Sequence, residues 1–548
     1  MEYRCFGPPG TGKTTWLTRQ VKRASMQFGS ENILATSFTK ASAVELAGRN
    51  VTVEKSQIGT LHSICYHAMG SPPIAEKQDV DDWNKTCDNV HRISKTKNSV
   101  DEMEGQAQKE DGDELFAQYQ YLRGKQVDRE TWPPGVQRFA KQWEKWKTDT
   151  GFADFVDMLE FGLNMDYAPG KPRVLFCDEA QDMNPLMLNI IRKWGGHESV
   201  DYFINVGDDD QCLYNFLGAT PEAFLNPPIP GDREKILPQS YRVPKAVQKF
   251  AERIISKVSH RKTKEYLPRE DEGEVLTAGG SWNLKNPGQL IRSVEKYLED
   301  GKSVMFLASC SYMLKDLEKY MRQNGITFHN PFRLRNKAWN PLSPSAGVAS
   351  KDRLLAFLRN ESEVWGDMKR PWTAEDVEKW VHCLKAKESG LKNKIKTWIK
   401  EIPPTRLMGV NSIFEPDIDE IVENIVFGEV EDKLQWFRSH LTQTAKRGME
   451  YPLNVAVEQG ADKLREEPQI MIGTIHSVKG GEADVVFLFP DLSASGHAQL
   501  TNKVSPELKD SIFRQFYVGA TRARETLLLG KPSPRSPYFA FPEVGQDD

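Results

Sequence analysis

A chain of 548 residues has room for roughly three to four domains and for more than one core. Its 73 basic and 77 acidic side chains give a formal charge of −4, which excludes a uniformly basic coat, so a polyanionic partner must be met by local patches. At 39% hydrophobic residues and a mean hydropathy of −0.57, the longest apolar runs, 484–490 and 526–530, are too short to span a bilayer. No charged head precedes an apolar stretch at the N-terminus, so no signal peptide is expected. The seven cysteines are scattered without a Cys-x-x-Cys pair, which predicts a reducing, cytoplasmic setting and neither a zinc nor an iron–sulfur site.

Short apolar or β-branched runs at 2–6, 32–36, 173–177 and 202–206 alternate with helical patterns. A second series follows at 303–308, 469–474, 484–489 and 526–529. Alternation of this kind predicts α/β folding with parallel sheets, and two series predict two sheets. Between 63 and 152 no convincing strand occurs, so this stretch reads as a mostly helical insertion with a solvated acidic loop at 101–114. Within it Phe139, Trp143 and Trp146 form one helical stripe, read as core. The second interruption, about 331–459, has a loop at 340–347 and a capping box with Thr373 as N-cap and Asp376 three residues on. Helices dominate afterwards, and the basic run 385–400 and the acidic run 415–432 each read as a solvated helix face.

Gly7-Pro8-Pro9-Gly10-Thr11-Gly12-Lys13-Thr14 fits G-x-x-x-x-G-K-[ST] between a strand-like run and a helix. The glycines let backbone N–H groups turn toward phosphate oxygens, Lys13 reaches the β- and γ-phosphates, and Thr14 offers a hydroxyl to Mg²⁺. The apolar 174–177 run delivers Asp178, placed to hold Mg²⁺, and Glu179, placed to polarise water. Phosphoryl transfer also needs cations. Arg242 and Arg522 are candidates, though on composition alone each reads as a surface ion-pair residue.

The ordered segments 7–14, 37–46, 59–63, 178–182, 206–219, 237–242, 474–484 and 517–524 together resemble the UvrD/Rep/PcrA group of superfamily 1 (SF1A) DNA helicases. The resemblance implies two RecA-like P-loop motor domains with parallel sheets, each carrying a mostly helical insertion. It implies a first motor at 1–66 and 148–236 with its insertion at 67–147, and a second at 237–332 and 460–548 with its insertion at 333–459. ATP would bind between the motors and single-stranded DNA would cross both, usually moving 3′ to 5′. Gly7, Gly10, Thr11, Gly12, Lys13, Thr14 and Thr15 would cradle the nucleotide, with Thr14 and Asp178 on the metal. Gln211 would sense the γ-phosphate, Arg242 and Arg522 would be arginine fingers, Tyr241 would stack on adenine and Glu482 would meet the ribose. Phe38, Tyr214 and Phe216 would stack on bases, with Thr60, His62, Thr474 and His476 near the DNA backbone.

Three positions depart from the family pattern. Only six residues precede Gly7, where the family places a helix and a glutamine that read adenine; Leu217 replaces an arginine; and the charges before the last motif are reduced to Arg514. The eighteen residues after Gly530 predict no appended nuclease domain. The expected activity is an ATP-driven DNA helicase working on tailed duplexes in repair or replication. A translocase that strips proteins but scarcely unwinds, and a P-loop ATP switch, are the rival readings.

Overall fold

The computed structural model describes residues 1–38, 43, 47–48, 53–75, 77–94, 110–277, 282–334, 336–343, 347–359, 372–415 and 428–544. Most of the 37–46 segment, the acidic residues 101–109, the loop residues 344–346 and most of the acidic run 415–432 lie outside the described residues. Compactness divides the chain into two units, 1–280 with 307–312 and 474–548, and 281–306 with 313–473.

In the first unit β1 (Glu2–Phe6), β2 (Ile33–Ser37), β3 (Ile58–Thr60), β4 (Val174–Asp178), β5 (Tyr202–Gly207) and β6 (Glu234–Ile236) build one sheet in the order β3-β2-β4-β5-β1-β6. Every pairing is parallel. The central strands are covered on both faces, which is why they read as unbroken apolar runs rather than alternating ones. On one face the helix Lys13–Phe28 buries Leu17, Val21 and Ala24 at helical spacing against Ile33, Val174 and Val206. On the other, Leu186, Ile190 and Trp194 close over Leu34 and Leu175. Register sets Phe6 opposite Gly207 and Ser37 opposite Asp178, so β1, β4 and β5 end together and release Gly7, Glu179 and Asp208 at one carboxyl edge.

Between β3 and β4 the described residues hold helices and no strand, with a single isolated bridge at Ile74 and Ala153. Phe139, Trp143 and Trp146 are buried with Trp83, Phe116 and Trp132, as the stripe predicts. A buried ionic knot ties this helical stretch to the helix Phe155–Asn164: Arg123 and Lys147 both reach Asp154, Lys147 at 2.7 Å.

Beyond the first sheet, β7 (Glu274–Thr277), β14 (Ala523–Leu529) and β13 (Ala483–Leu488) lie side by side in that order within the first unit, β12 (Ile470–Thr474) and β9 (Phe328–His329) within the second, and β8 (Val304–Ala308) runs from the second unit into the first. In the first unit β14 is parallel to β13 and β7, and Phe489 N donates to Leu307 O. In the second unit β12 is parallel to β9, and Val304 N donates to Gln469 O. Both sheets were expected. The short, half-polar strands β3, β6, β7 and β9 carry too few apolar residues to be read from sequence.

The second unit is otherwise mainly helical, with a two-stranded antiparallel ribbon of β10 (Trp372–Thr373) and β11 (Leu407–Met408). The capping box of Thr373 and Asp376 is present. The basic run 385–400 is not the helix face expected: its only α-helical turn is Ile395–Trp398, because Gly390 and Lys394 take φ of 60° and 64°. Leu391, Ile395 and Ile399 are buried, while Lys387, Lys394 and Lys400 face solvent. All seven cysteines are free, and no described helix is long and apolar enough to cross a membrane.

Candidate nucleotide and nucleic-acid site

The loop after β1 returns to open the helix Lys13–Phe28. Gly10 and Gly12 both have φ of +76°, a conformation that favours glycine. Gly10 is also closely approached: a Cβ there would lie 2.5 Å from Cβ of Arg242 and 2.7 Å from Oγ of Ser240. Gly7 N donates to Gly207 O, and Thr11 Oγ1 donates to Pro8 O at 2.9 Å. Lys13 Nζ donates to Gly7 O at 2.6 Å, so the ammonium sits inside the loop. Burial pulls its pKa down, against the opposing fields of Glu179, Asp208 and Asp178. Thr14 is half-buried at the helix start and Thr15 is exposed.

Asp178 is buried at the end of β4, and its Oδ1 accepts from Glu179 N at 3.0 Å. Glu179 itself has φ of +53°, a strained left-handed conformation for a residue with a side chain. Its carboxylate accepts from Gln181 Nε2 at 2.7 Å and lies 3.3 Å from Lys479 Nζ. Burial works against its charge, but Lys479 and Lys13 prevail and hold its pKa below the usual glutamate range. It is therefore an ionised acceptor, suited to orienting a water molecule. Gln181 Oε1 accepts from Asp208 N at 3.0 Å, and Gln211 Nε2 donates to Asp208 Oδ2 at 2.7 Å.

Lys479 was not singled out from sequence, although it lies between His476 and Glu482 in a segment that was. Its ammonium donates to Asp182 and to Gln211 O, the latter at 3.0 Å, and so joins the loops that follow β4 and β5.

Segment 238–242 packs on the P-loop. Tyr241 N donates to Gly10 O at 2.9 Å, and Ser240 Oγ and Tyr266 Oη both donate to Pro9 O. The Tyr241 ring is 75% exposed, which leaves its face open. Arg242 Nε donates to Glu482 Oε2 at 2.6 Å, so Glu482, expected at a ribose, here holds a guanidinium. Arg522 is no surface residue: it is buried, donating to Val518 O at 2.9 Å and to Gly481 O at 3.1 Å. Burial and then the Arg242 charge push its pKa down, and Glu179 and Glu482 oppose them. The two arginines, Glu179 and Glu482 thus share one electrostatic neighbourhood.

The expected nucleic-acid residues fall into two matching turns. Thr60 Oγ1 accepts from Ser63 N at 3.2 Å while Ser63 Oγ donates to Thr60 O at 2.9 Å. Thr474 and Ser477 repeat both bonds, at 3.1 and 2.8 Å. His62 packs edge-on to Phe155 at 5.9 Å, and burial lowers its pKa to about 4, so it is neutral. His476 lies 5.7 Å from Phe216 and 3.4 Å from Gln515 Nε2. A cavity of about 1090 Å³ is lined by Phe216 and His476 together with Tyr121, Lys125, Ser309 and Gln515. The three expected stacking rings differ. Phe216 borders the cavity, whereas Tyr214 is 2% exposed, packed on Phe38 at 4.8 Å and beneath Lys479. Phe38 leans on the core of the first sheet. Tyr214 therefore supports Phe216 from behind instead of presenting its own face.

Residues 5–228 match the family model for the UvrD/REP helicase N-terminal domain, and residues 430–532 that for the UvrD-like helicase C-terminal domain. The chain is 24% identical over 323 residues to the putative ATP-dependent DNA helicase YjcD of Bacillus subtilis, covering 54% of this chain and 42% of that protein. It is 27% identical over 171 residues to the ATP-dependent DNA helicase Rep of Buchnera aphidicola subsp. Baizongia pistaciae, covering 30% of this chain and 25% of that one. A probable DNA helicase II homolog of Rickettsia felis is 21% identical, with 97% of this chain and 90% of that protein covered. The chain thus spans less than half the length of the first two relatives.

Proposed function

Because the chain belongs to the UvrD/Rep family of superfamily 1 helicases, we propose that it is an ATP-dependent single-stranded DNA translocase and DNA helicase, moving 3′ to 5′. The observation that carries this reading is the convergence on one P-loop of residues from distant stretches: Lys13, Asp178 and Glu179 from the first sheet, Arg242 from the segment after it, and Lys479 and Arg522 beside the second. The motors would be 1–66 with 148–236 and 237–332 with 460–548, and the insertions 67–147 and 333–459.

In this reading Gly7, Gly10, Thr11, Gly12, Thr14 and Thr15 surround the triphosphate, with the base against Tyr241. Glu179 accepts a hydrogen bond from the attacking water, while Lys13, Arg242 and Arg522 neutralise charge on the transferring phosphoryl group, leaving ADP and phosphate. Gln211, held by its Nε2 bond to Asp208, would turn the rest of its amide to the γ-phosphate. Thr14 and Asp178 would hold Mg²⁺, which would supply charge compensation there. Among the described residues no group of three or more His, Cys, Asp or Glu forms a metal cage of its own.

On the DNA side, Phe216 would stack on a base and the turns at Thr60 and Thr474 would meet the backbone, with His62 and His476 beside them. A cytoplasmic location, where seven free thiols stay reduced, accords with this work. The test is unwinding of matched duplexes bearing a 3′ or a 5′ single-stranded tail. Unwinding from the 3′ tail alone, abolished by Lys13→Ala, is expected. ATP turnover indifferent to single-stranded DNA would replace the motor with an ATP switch.

A further inference from the structure

Three consecutive carboxylates follow β5, and all of them are buried: Asp208, Asp209 and Asp210 are each at most 1% exposed. A run of like charges at such depth needs cations. One segment supplies them. Lys264 Nζ lies 2.9 Å from Asp208 Oδ1 and 3.0 Å from Asp210 Oδ2, and it also donates to Asp209. Arg261 grips Asp210 with two bonds, Nε to Oδ1 at 2.8 Å and Nη2 to Oδ2 at 2.5 Å, and Lys262 N donates to Asp209 Oδ2. Arg261 remains partly open to solvent, whereas the Lys264 side chain is 1% exposed, so Lys264 is the cation at the centre of the cluster.

The same segment is held from its other side. Ser259 N and Oγ donate to Asp510, and Arg514 donates to His260 O at 2.5 Å and to Asp209 O at 3.0 Å. Asp510 and Arg514 lie on the helix Pro506–Ala520, whose end is followed at once by Thr521 and Arg522. At the near end of the route, Asp208 spends its second oxygen on Gln211 Nε2. An unbroken series of polar contacts therefore runs from Gln211 through Asp208 and Lys264 to the helix that precedes Arg522. Burial opposes the charge on Asp208, and Lys264, followed by Lys13, holds the carboxyl ionised below its usual pKa.

We propose that Lys264 is a positioning residue for ATP turnover, fixing Gln211 through Asp208 and linking that glutamine to the helix that leads into Arg522, without touching the nucleotide. The proposal rests on the ATPase reading above and deepens it.

The test is steady-state ATP turnover of the full chain with oligo-dT, measured as kcat and KM for ATP, beside thermal melting. Lys264→Met is expected to lower kcat by about tenfold or more, the effect of a misplaced reacting group, with KM changed less than about threefold. Lys264→Arg, which keeps the charge, is expected to recover part of kcat. If Lys264→Met unfolds, Lys264→Met with Asp209→Asn restores the charge balance of the cluster and keeps the assay possible; kcat is still expected to be low, because Asp208 and Gln211 remain unheld. In a Gln211→Ala background Lys264→Met should cost little more, since the two act as one unit. A kcat within about twofold of the unaltered chain in the foldable variant, or an undiminished loss in the Gln211→Ala background, overturns the proposal. Absence of ATP turnover in the unaltered chain overturns the functional reading itself, and this proposal with it.

Discussion

Arg242 and Glu482 form an ion pair of 2.6 Å between side chains that are 16% and 41% exposed. A pair this open contributes only about 0.2–1 kcal/mol to the fold, so its meaning is positional. The bond uses Nε of Arg242 and Oε2 of Glu482, so it aims the Nη groups of the guanidinium and leaves the carboxylate acceptor sites for a ribose hydroxyl. Arg242→Ala is expected to lower kcat for ATP by about 10³ or more, as loss of an arginine finger does. Glu482→Ala should instead raise KM for ATP roughly fivefold, the worth of about one hydrogen bond, and leave kcat and the melting temperature nearly unchanged. Equal kcat losses in the two variants would erase the division of roles.

Lys479 is the cation on which Glu179 and Asp182 both lean, Asp182 fully buried and Glu179 partly so. Their fields raise the Lys479 pKa despite its burial, so the charge is present at any working pH. Removing it strands two carboxylates in a low-dielectric site, at a cost of about 3–5 kcal/mol. Lys479→Met should therefore lower the melting temperature, and adding Asp182→Asn should return much of that loss. Turnover should stay low in the double variant, because Glu179 has still lost its orienting partner. A double variant with normal kcat would show that Lys479 serves the fold alone.

The contrast between Lys13 and Lys479 shows what sequence could and could not reveal. Lys13 stands in a local pattern, one strand, one loop and one helix, so its role follows from spacing within eight residues. Lys479 contacts Asp182, 297 positions away, and no local spacing encodes that contact. Lys264 is less legible still, since His260-Arg261-Lys262-Thr263-Lys264 reads as an exposed basic run until Asp208, Asp209 and Asp210 close on it. Strands β1, β4 and β13 were readable because both faces are covered, which selects continuous apolar runs. The run 385–400 misled because lysines favour helices, while the left-handed backbone at Lys394 is a tertiary choice that overrides propensity. The burial of Tyr214 against Phe216 was not legible either, because its motif marks both rings alike and burial is decided by the fold.

Phe216 and Tyr214 therefore separate in experiment. Phe216 borders the cavity, so Phe216→Ala should weaken oligo-dT binding by about 1–3 kcal/mol, measured by fluorescence anisotropy at fixed salt, with little change in melting. Tyr214→Phe keeps the buried ring and should bind as the unaltered chain does. Tyr214→Ala should lower stability by about 3–5 kcal/mol by opening a cavity beneath Phe216. Strong loss of DNA affinity in Tyr214→Phe would mean that its hydroxyl, and so its own face, reaches the strand.

Asp154 is the most heavily engaged carboxylate in the helical stretch of the first unit. Its oxygens accept from Val156 N and Asp157 N at 3.0 Å each, from Trp143 Nε1 at 3.0 Å and from Lys147 Nζ at 2.7 Å, with Arg123 at 3.2 Å. Burial alone would raise its pKa, but Arg123, Lys147 and these bonds outweigh it and hold the carboxyl well below the usual aspartate range. A folded pKa below the unfolded one makes the stabilisation complete above about pH 4 and removes it as pH falls further toward the folded value. Asp154→Asn keeps the shape but leaves Arg123 and Lys147 undercompensated, which should cost about 3–5 kcal/mol at pH 7. The gap in melting temperature between the two proteins should then narrow on acidification below about pH 4, as the unaltered chain loses the same charge. A gap that stays constant from neutral to acid pH would show that Asp154 acts as a helix cap whose ionisation does not matter.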